Sequence, residues 1–229
     1  MPHLLELFSG TGSIGRVFTA AGWQVTSVDV VARFNPTICK SVLDLTTEDI
    51  PGDITMIWAS PPCVHYSRAR TTAKTPRDLE GSDELVGAAI NIAHRLNVPL
   101  FMENPLGLLK DRQVVKVRGL TRQTVDYCQY NELNDHTHRA RKRTNIWTTT
   151  TWSPQRDLCR QDCRHCVNGK HVDHAQRFGI RRHTLTELYA IPRALPEEIL
   201  AWYNEESLNG PVLPVSYFPP GPEHGEEVA

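Results

Sequence analysis

Short apolar runs recur through the first half of the chain. Residues 3–8 (HLLELF) and 98–104 (VPLFMEN) have the nearly continuous apolar character of strands buried in a parallel sheet. Residues 23–30 (WQVTSVDV) and 54–60 (ITMIWAS) are predicted to be two further strands. The apolar residues between positions 14 and 21 recur instead at helical spacing. Residues 84–97 form a second amphipathic stretch of the same kind. This alternation predicts an α/β fold with a mostly parallel sheet and helices on both faces.

The pattern changes after residue 110. Residues 123–130 and 143–152 have the character of β segments, which we expect to pair antiparallel at the far side of the sheet. Residues 184–191 and 195–207 are expected to form closing helices. The predicted organisation is a core at 1–150, a small Cys/His-rich insertion at 151–180, closing helices at 181–210 and a flexible tail at 211–229.

Composition narrows the class of protein. A chain of 229 residues with 40% apolar side chains can bury a full core, which excludes a disordered protein. No apolar run reaches the eighteen or so residues of a membrane span, and the first ten residues lack the features of a signal peptide. We therefore predict a cytoplasmic protein, in which six cysteines serve packing, metal binding or chemistry rather than disulfides.

The net charge of −1 averages two unlike parts of the chain. Residues 110–182 hold 16 Lys or Arg against 7 Asp or Glu, a surplus of +9, so the remainder carries −10. A basic segment of this kind is either a solvated surface or a face that binds a polyanion.

A glycine motif separates the first strand from the first helix. Gly10, Gly12 and Gly15 form G-x-G-x-x-G, in which glycine allows a tight turn and the helix N-terminus offers free N–H groups. Asp29 ends the next strand and is placed to accept a hydrogen bond from a ribose hydroxyl. The motif indicates an adenosine-containing cofactor and leaves a dinucleotide or S-adenosylmethionine open.

Three further groups carry candidate chemistry. Cys63 follows two prolines just past the third strand, where α/β sheets bind ligands, and a thiolate is a strong nucleophile. Glu103 ends the next strand and should open into the same crevice, where an enclosed carboxyl can stay protonated and donate to a ring nitrogen. Arg141 and Arg143 lie two apart in an extended segment and suit a phosphate or a base carbonyl.

In this order, these motifs resemble those of the DNA (cytosine-5) methyltransferase family over roughly residues 3–148. ELFSGTGSIG is similar to its cofactor-binding motif, SPPCVHYS to its Pro-Cys loop, ENP to its Glu-Asn-Val motif and RARKR to its Gln-x-Arg-x-Arg strand. The resemblance implies a Rossmann-like S-adenosylmethionine-dependent methyltransferase fold. Two departures are Val64 after the cysteine and a stretch of only about thirty-five residues for target recognition.

The resemblance also implies a role for each residue. Cys63 would attack carbon 6 of cytosine, Glu103 would hold or protonate N3, and Arg143 with Arg141 would contact the base or its phosphate. The target base would be flipped out of duplex DNA or lie in a single strand, which gives the basic segment a purpose. The residues expected to bind S-adenosylmethionine are Phe8, Ser9, Gly10, Thr11, Gly12, Gly15, Asp29, Asp44 (after a further short strand) and Pro61.

The insertion contains a candidate structural zinc site. Cys159, Cys163, Cys166 and His171 give C-x3-C-x2-C-x4-H, and three thiolates with an imidazole can close a tetrahedral site. His165 and His174 are alternatives to His171. Cys39 and Cys128 are expected to be ordinary strand residues, with Cys128 an alternative remote ligand. Such a site would shape a small DNA-contacting knuckle between Arg156 and Arg182.

Three other functions stay open at this point. The same nucleophile could act on cytosine in RNA or in a free nucleotide. An amino-methyltransferase acting on an exocyclic nitrogen also has a proline-proline loop, but with an aromatic residue where this chain has Cys63. A catalytically silent DNA-binding module would fail to bind S-adenosylmethionine.

Overall fold

The computed structural model describes residues 1–71, 73–116, 119–132, 139–173 and 184–215. Its main sheet has six strands, which are β1 (His3–Leu7), β2 (Gln24–Val28), β3 (Met56–Ala59), β4 (Leu100–Pro105), β5 (Thr121–Asp126) and β6 (Arg143–Thr148). The helices are α1 (Gly15–Ala20), α2 (Glu80–Leu96), α3 (Leu185–Tyr189) and α4 (Ala194–Ser207). A separate two-stranded ribbon consists of β7 (Cys166–Val167) and β8 (Lys170–His171).

The strand order in the main sheet is β2-β1-β3-β4-β6-β5. β1 pairs in parallel with β2 and β3, and β3 pairs in parallel with β4. β6 lies antiparallel between β4 and β5. The predicted α/β fold is therefore present, with the antiparallel pair at the side of the sheet where it was expected.

Two apolar clusters cover the two faces of the sheet. One packs α2 against Leu5, Ile57 and Met102, and the other packs α4 against Leu4, Trp58 and Phe101. Leu5 is paired with Ile57 and Trp58 with Phe101, and the members of each trio share one face because side chains alternate between the two faces of a sheet. The sheet is thus buried on both sides, as its apolar strands predicted.

Several predicted boundaries differ from the structure. The second helix begins at Glu80, four residues earlier than predicted, and the Asp78 carboxylate accepts the Gly81 N–H there at 2.9 Å. Strand β5 ends at Asp126, and Tyr127–Gln129 turn as a 3-10 helix, because the chain leaves the sheet at this point. The strand expected before Asp44 is a single bridge from Ile38 to Val28, and Val42–Asp44 form a 3-10 turn capped by Ser41.

The start of the predicted tail is attached to the sheet. The Val215 N–H donates to the Thr149 carbonyl at 2.8 Å, just past the end of β6. Residues 216–229 of the tail lie outside the described residues, as do His174 and Arg182. Within the described part of the chain, no helix has the length and apolar character needed to cross a membrane.

Candidate active site and cysteine-histidine cluster

The order of the parallel strands changes direction at β1. Because β2 lies on one side of β1 and β3 on the other, the loops after β1 and β3 diverge and leave a crevice at the carboxyl ends of the strands. The glycine loop follows β1, the Pro-Cys loop follows β3, and Glu103 lies near the end of β4. The topology therefore gathers the predicted motifs along one edge.

The glycine loop has an unusual backbone. Phe8, Gly10 and Gly12 have φ values of 57°, 49° and 67°, a left-handed conformation that glycine adopts readily and phenylalanine does not. A Cβ added at Gly10 or Gly12 would meet no atom nearer than 3.8 Å, so the outer face of the loop is open. Such a loop fits a ligand that approaches the backbone closely.

Asp29 fixes the shape of this loop. Its carboxylate accepts the Gly10 N–H at 2.8 Å and the Val31 N–H at 2.8 Å, which ties the end of β2 to the glycines. A carboxylate can accept further hydrogen bonds beyond these two. Asp29 thus lies beside the glycine loop, as the sequence indicated.

The other residues predicted to bind the cofactor differ in burial. Ser9 and Gly15 are buried, Thr11 is half-buried, and Asp44 is exposed in its 3-10 turn. Pro61 is buried, and its carbonyl accepts the Asn104 side-chain N–H at 2.9 Å. This bond joins the end of β4 to the Pro-Cys loop.

Glu6 is a residue that the sequence reasoning missed. It lies inside β1 at 2% exposure, and its carboxyl accepts the Gly15 N–H at 3.1 Å, below the start of α1. Burial raises its pKa to about 7, against the opposing effect of that hydrogen bond. The sequence feature that could have indicated Glu6 is its position as an acidic residue within the apolar run HLLELF.

The Pro-Cys loop closes into a tight turn at Cys63. The Cys63 carbonyl accepts the N–H groups of Tyr66 at 3.1 Å and Ser67 at 2.9 Å. Tyr66 is buried, and its hydroxyl donates to the Asp83 carboxylate of α2 at 2.8 Å. The thiol is therefore carried on a backbone that is anchored to the core.

Glu103 is enclosed by the protein at 6% exposure. The Tyr127 hydroxyl donates to its carboxyl at 2.7 Å, and the Lys142 ammonium lies 4.8 Å from the centre of the Tyr127 ring. Burial raises the pKa of Glu103, although Lys142 and the Tyr127 hydrogen bond act in the opposite direction. The environment favours the protonated acid.

Burial also raises the pKa of the Cys63 thiol, and the negative charge of Glu103 raises it further. Lys142 lowers that pKa, so this cation acts on both groups. In the free protein the thiol form is favoured, and Lys142 is the cation that stabilises the thiolate. The sequence reasoning singled out the arginines on either side of Lys142 and passed over the lysine itself.

The two predicted arginines occupy different environments. Arg143 begins β6, and its guanidinium pairs with Asp126 through two hydrogen bonds of 3.0 and 2.7 Å. Arg141 precedes the strand and is exposed. The structure therefore does not set them side by side on one strand, because the extended segment starts only at Arg143.

A compact group of metal-binding side chains lies at the base of the insertion. The donor atoms of Cys128, Cys159, Cys163 and His171 all lie within 4.8 Å of one another. The Cys159 and Cys163 sulfurs are 3.6 and 3.3 Å from His171 Nε2, close to the edge of about 3.5 Å in a tetrahedral zinc site. The chemistry of this donor set fits zinc.

Two features of this group differ from the sequence prediction. Cys128, offered by the sequence only as an alternative remote ligand, comes from the turn after β5 and is part of the compact group. Cys166 lies beside the group, with its sulfur 3.6 Å from His171 Nε2 and 3.7 Å from the Cys163 sulfur. The ring of His165 accepts a hydrogen bond from Arg164 and is not in the compact group. Spacing within the insertion could not reveal a donor more than thirty residues earlier in the chain.

Basic residues attach the insertion to the core. Arg156 donates to the Gln129 carbonyl at 2.6 Å, and its guanidinium lies 4.7 Å from the centre of the Tyr130 ring. Arg164 donates to the carbonyl and side chain of Asn131. Two of the basic residues predicted to face DNA therefore make contacts within the protein, although both are exposed.

Comparisons with known proteins give the following matches. No protein-family model matches the sequence. The "Probable DNA (cytosine-5)-methyltransferase" of Frog virus 3 (isolate Goorha) is 30% identical over 160 residues, which cover 64% of this chain and 70% of that protein. A triple mutant of Spodoptera frugiperda DNMT2 is a structural match with a TM-score of 0.45 and 19% identity, covering 69% of this chain and 53% of that one. The Entamoeba histolytica methyltransferase EhMeth matches with a TM-score of 0.42 and 13% identity, covering 65% and 52%. The chain spans about half the length of these solved structures.

Proposed function

The chain belongs to the DNA (cytosine-5)-methyltransferase family, and from this premise we propose that it transfers a methyl group to carbon 5 of cytosine in DNA through a covalent adduct with Cys63. The observation that carries the proposal is the position of Cys63 and Glu103 at one sheet edge, where the Asn104 side chain donates to the Pro61 carbonyl at 2.9 Å and joins the end of β4 to the Pro-Cys loop. A nucleophile and a neutral acid in one crevice match the needs of this reaction.

Each side chain has a defined task in the proposed mechanism. The Cys63 thiol loses its proton, and its sulfur forms a bond to carbon 6 of the cytosine ring. Glu103, in its protonated form, donates to N3 and draws charge from the ring as the bond forms. Lys142 stabilises the thiolate, since its charge lowers the pKa of Cys63. After methylation of carbon 5, that carbon would lose its proton to water, the sulfur–carbon 6 bond would break, and the N3 proton would return to Glu103. The released thiolate would take up a proton from solvent, which restores the starting groups.

S-adenosylmethionine is the cofactor that the glycine loop would hold. When bound, it supplies an electrophilic methyl group for carbon 5. The open backbone face at Gly10 and Gly12 and the nearby Asp29 carboxylate would bind it, because adenosine-containing ligands take hydrogen bonds from such loops and acids. Phe8, held at positive φ, turns the chain into this loop.

DNA is the proposed partner, and residues 110–182 supply the positive charge. Arg141 and Arg160 are exposed in this segment, as are Arg156 and Arg164, whose guanidinium groups also hydrogen-bond to the core. Exposed arginines can neutralise phosphates without reading sequence. Cytosine in RNA or in a free nucleotide is the second candidate substrate, supported by the small size of the insertion.

The cysteine-histidine group is proposed to hold structural zinc. Support comes from its three thiols and one imidazole and from sulfur–nitrogen distances of 3.6 and 3.3 Å. Metal analysis of the purified protein should find one zinc ion per chain, and Cys163→Ser should lose it. A folded wild type without metal would contradict this assignment.

The test of the function is a transfer assay with labelled S-adenosylmethionine. Duplex DNA, single-stranded DNA, RNA and dCMP are offered side by side, and we expect label at cytosine carbon 5 in DNA. Cys63→Ser should abolish transfer, while Cys39→Ser, at an exposed cysteine, should keep it. Label on an exocyclic nitrogen, or activity that survives Cys63→Ala, would overturn the mechanism.

A second measurement detects the adduct itself. DNA containing 5-fluorocytosine cannot release a proton from carbon 5, so the covalent complex should accumulate. We expect a denaturation-resistant species with the wild type and none with Cys63→Ser. A silent DNA-binding protein would form no adduct and would bind no S-adenosylmethionine.

A further inference from the structure

We propose that residues Asp126–Cys128 couple a metal centre in the insertion to the active-site groups, with Cys128 as the metal ligand supplied by the core. The inference rests on the proposed function for the roles of Glu103 and Arg143, and on the contacts of three consecutive residues for the coupling. Asp126 and Tyr127 are positioning residues, since each acts through another side chain.

Asp126 connects Arg143 to the metal ligands. Its carboxylate is 1% exposed and accepts two hydrogen bonds from the Arg143 guanidinium, at 3.0 and 2.7 Å. The same carboxylate accepts the backbone N–H of Cys159 at 3.0 Å. A shift of Cys159 would therefore move the carboxylate that fixes Arg143, because a buried charge must keep its partners.

Tyr127 makes the corresponding connection to Glu103. It is 1% exposed, and its hydroxyl donates to the Glu103 carboxyl at 2.7 Å. It stands between Asp126 and Cys128 in the short 3-10 turn Tyr127–Gln129, so its backbone cannot move independently of theirs. The position of the acid thus depends on the same turn that carries a candidate metal ligand.

Cys128 is the donor that makes the coupling direct. It is 3% exposed, and its sulfur lies within 4.8 Å of the donor atoms of Cys159, Cys163 and His171. The Cys166 sulfur lies 3.6 Å from His171 Nε2 and 3.7 Å from the Cys163 sulfur but is not part of this mutually close set of four. A metal bound by Cys166 together with Cys159, Cys163 and His171 would connect residues of the insertion only to one another. A metal held by Cys128 fastens the insertion to the turn after β5.

The insertion has little other structure with which to keep this position. Between residues 151 and 173, the part of the insertion that the structure describes, the regular elements are the two-residue strands β7 and β8. A structural metal often supplies the folding energy of segments this small. Arg156 and Arg164 contact Gln129 and Asn131, the residues just beyond Cys128. The insertion and the turn therefore form one packed unit around the metal group.

The ligand assignment is tested by loading the purified full chain with Co²⁺ and recording its absorption. A tetrahedral site with three thiolates and one imidazole gives thiolate charge-transfer and ligand-field bands. We expect Cys128→Ser to lose metal or change these bands, and Cys166→Ser to keep one Co²⁺ with unchanged bands. The matched control is Cys39→Ser, at an exposed cysteine outside the group. The reverse result, with Cys166 required and Cys128 dispensable, would overturn the proposal.

The coupling is tested by hydrogen exchange with and without metal, a measurement that needs no turnover. Removing zinc with a chelator should speed exchange at Asp126–Tyr130 and at the start of β6, and leave the glycine loop unchanged. Zinc added back should restore protection. Faster exchange confined to residues 156–171 would show that the metal stabilises the insertion alone. Faster exchange throughout the protein would show that the metal stabilises the whole fold. Either result overturns the coupling.

Asp126→Asn gives the functional readout. We expect the variant to keep one metal per chain and its affinity for S-adenosylmethionine, while kcat/KM for DNA falls about tenfold or more. Glu48→Gln, at an exposed carboxyl outside residues 110–182 and outside the site, is the matched control. Unchanged kcat/KM in Asp126→Asn would overturn the role of Asp126. If the wild type proved inactive, the Co²⁺ and exchange results would still decide the metal coupling separately from the function.

Discussion

Burial controls the protonation of three groups near the crevice. Glu6 and Glu103 are carboxyls enclosed by the sheet, and Cys63 is a thiol held just past it. In each case desolvation disfavours the charged form and raises the pKa. A neutral Glu103 can donate a hydrogen bond to a ring nitrogen. A neutral Cys63 must lose its proton before it can attack, and Lys142 favours this loss because its charge lowers the pKa of the thiol.

Glu6 makes stability depend on pH. Its pKa is about 7 in the folded protein against 4.5 ordinarily, so its contribution is fully present below pH 4.5 and lost as the pH rises through 7. We expect the free energy of unfolding to fall by up to about 3 kcal/mol over this range. In Glu6→Gln this part of the decline should disappear.

Denaturant unfolding of both proteins at several pH values measures the effect. Glu48→Gln, at an exposed carboxyl, serves as the control and should keep the wild-type decline. Parallel pH profiles for wild type and Glu6→Gln would show that Glu6 is not the group responsible.

Lys142 should set the reactivity of Cys63. Because its charge lowers the pKa of the thiol, Lys142→Met should leave less thiolate and slow alkylation of Cys63 by iodoacetamide at pH 8. We expect a slowing of about threefold to tenfold, because a smaller fraction of the thiol is ionised. Peptide mass spectrometry follows Cys63, and Cys39 in the same molecule is the internal reference. Arg141→Met removes a neighbouring exposed cation and should have a smaller effect; equal slowing in both variants would refute the specific role.

At the scale of elements, the site depends on how the loops after β3 and β4 touch. The Leu108 N–H donates to the Tyr66 carbonyl at 2.9 Å, and Asn104 reaches back to Pro61 at 2.9 Å. Gly107 lies against this contact, and a Cβ there would meet the Tyr66 carbonyl oxygen at 2.5 Å. The two loops therefore hold each other in place through backbone atoms.

Gly107→Ala should disturb the Pro-Cys loop. Because the clash is with backbone, the loop must shift, and we expect a loss of about 1–3 kcal/mol in unfolding free energy. Adduct formation with 5-fluorocytosine DNA should slow, while S-adenosylmethionine binding stays close to the wild type. Gly52→Ala, where a Cβ meets nothing within 4 Å, is the control. Normal adduct formation in Gly107→Ala would contradict this account of the loop.

The elements that could be predicted are those whose signals are local. The apolar run from His3 to Phe8 predicted β1, and the glycines after it predicted the turn. Both predictions depend only on residues that are adjacent in the sequence. The contacts of Tyr127 and Cys128 could not be predicted from neighbouring residues. Tyr127 bonds to Glu103, and Cys128 approaches Cys159, Cys163 and His171, only because the chain turns out of the sheet at the end of β5. The pairing of Arg143 with Asp126 depends on strand register, which alternation alone does not fix.

For the whole molecule, positive and negative charge are concentrated in different parts of the chain, one proposed to bind DNA and the other to bind the cofactor. The segment at 110–182 carries +9 and the remainder carries −10, so the part proposed to meet DNA differs in sign from the part that holds the glycine loop. Polyanion binding releases counterions and weakens with salt, whereas a cofactor held by backbone and a carboxylate depends on salt far less.

DNA affinity should therefore fall by about tenfold or more between 50 and 200 mM salt. S-adenosylmethionine affinity should stay nearly constant over the same range. Fluorescence anisotropy with labelled DNA and calorimetry with the cofactor measure the two in one buffer series. A flat salt profile for DNA would show that the basic segment does not contact phosphates.

The order of strands in the sheet also has a consequence for how the chain folds. β6 is inserted between β4 and β5, and β5 pairs with β6 alone in the main sheet, so β5 has no neighbour there until residues 143–148 arrive. β1 likewise needs residues 56–59, about fifty positions later in the chain, to complete its pairing. The sheet cannot grow strand by strand as synthesis proceeds, and pairings this distant in sequence make refolding slow.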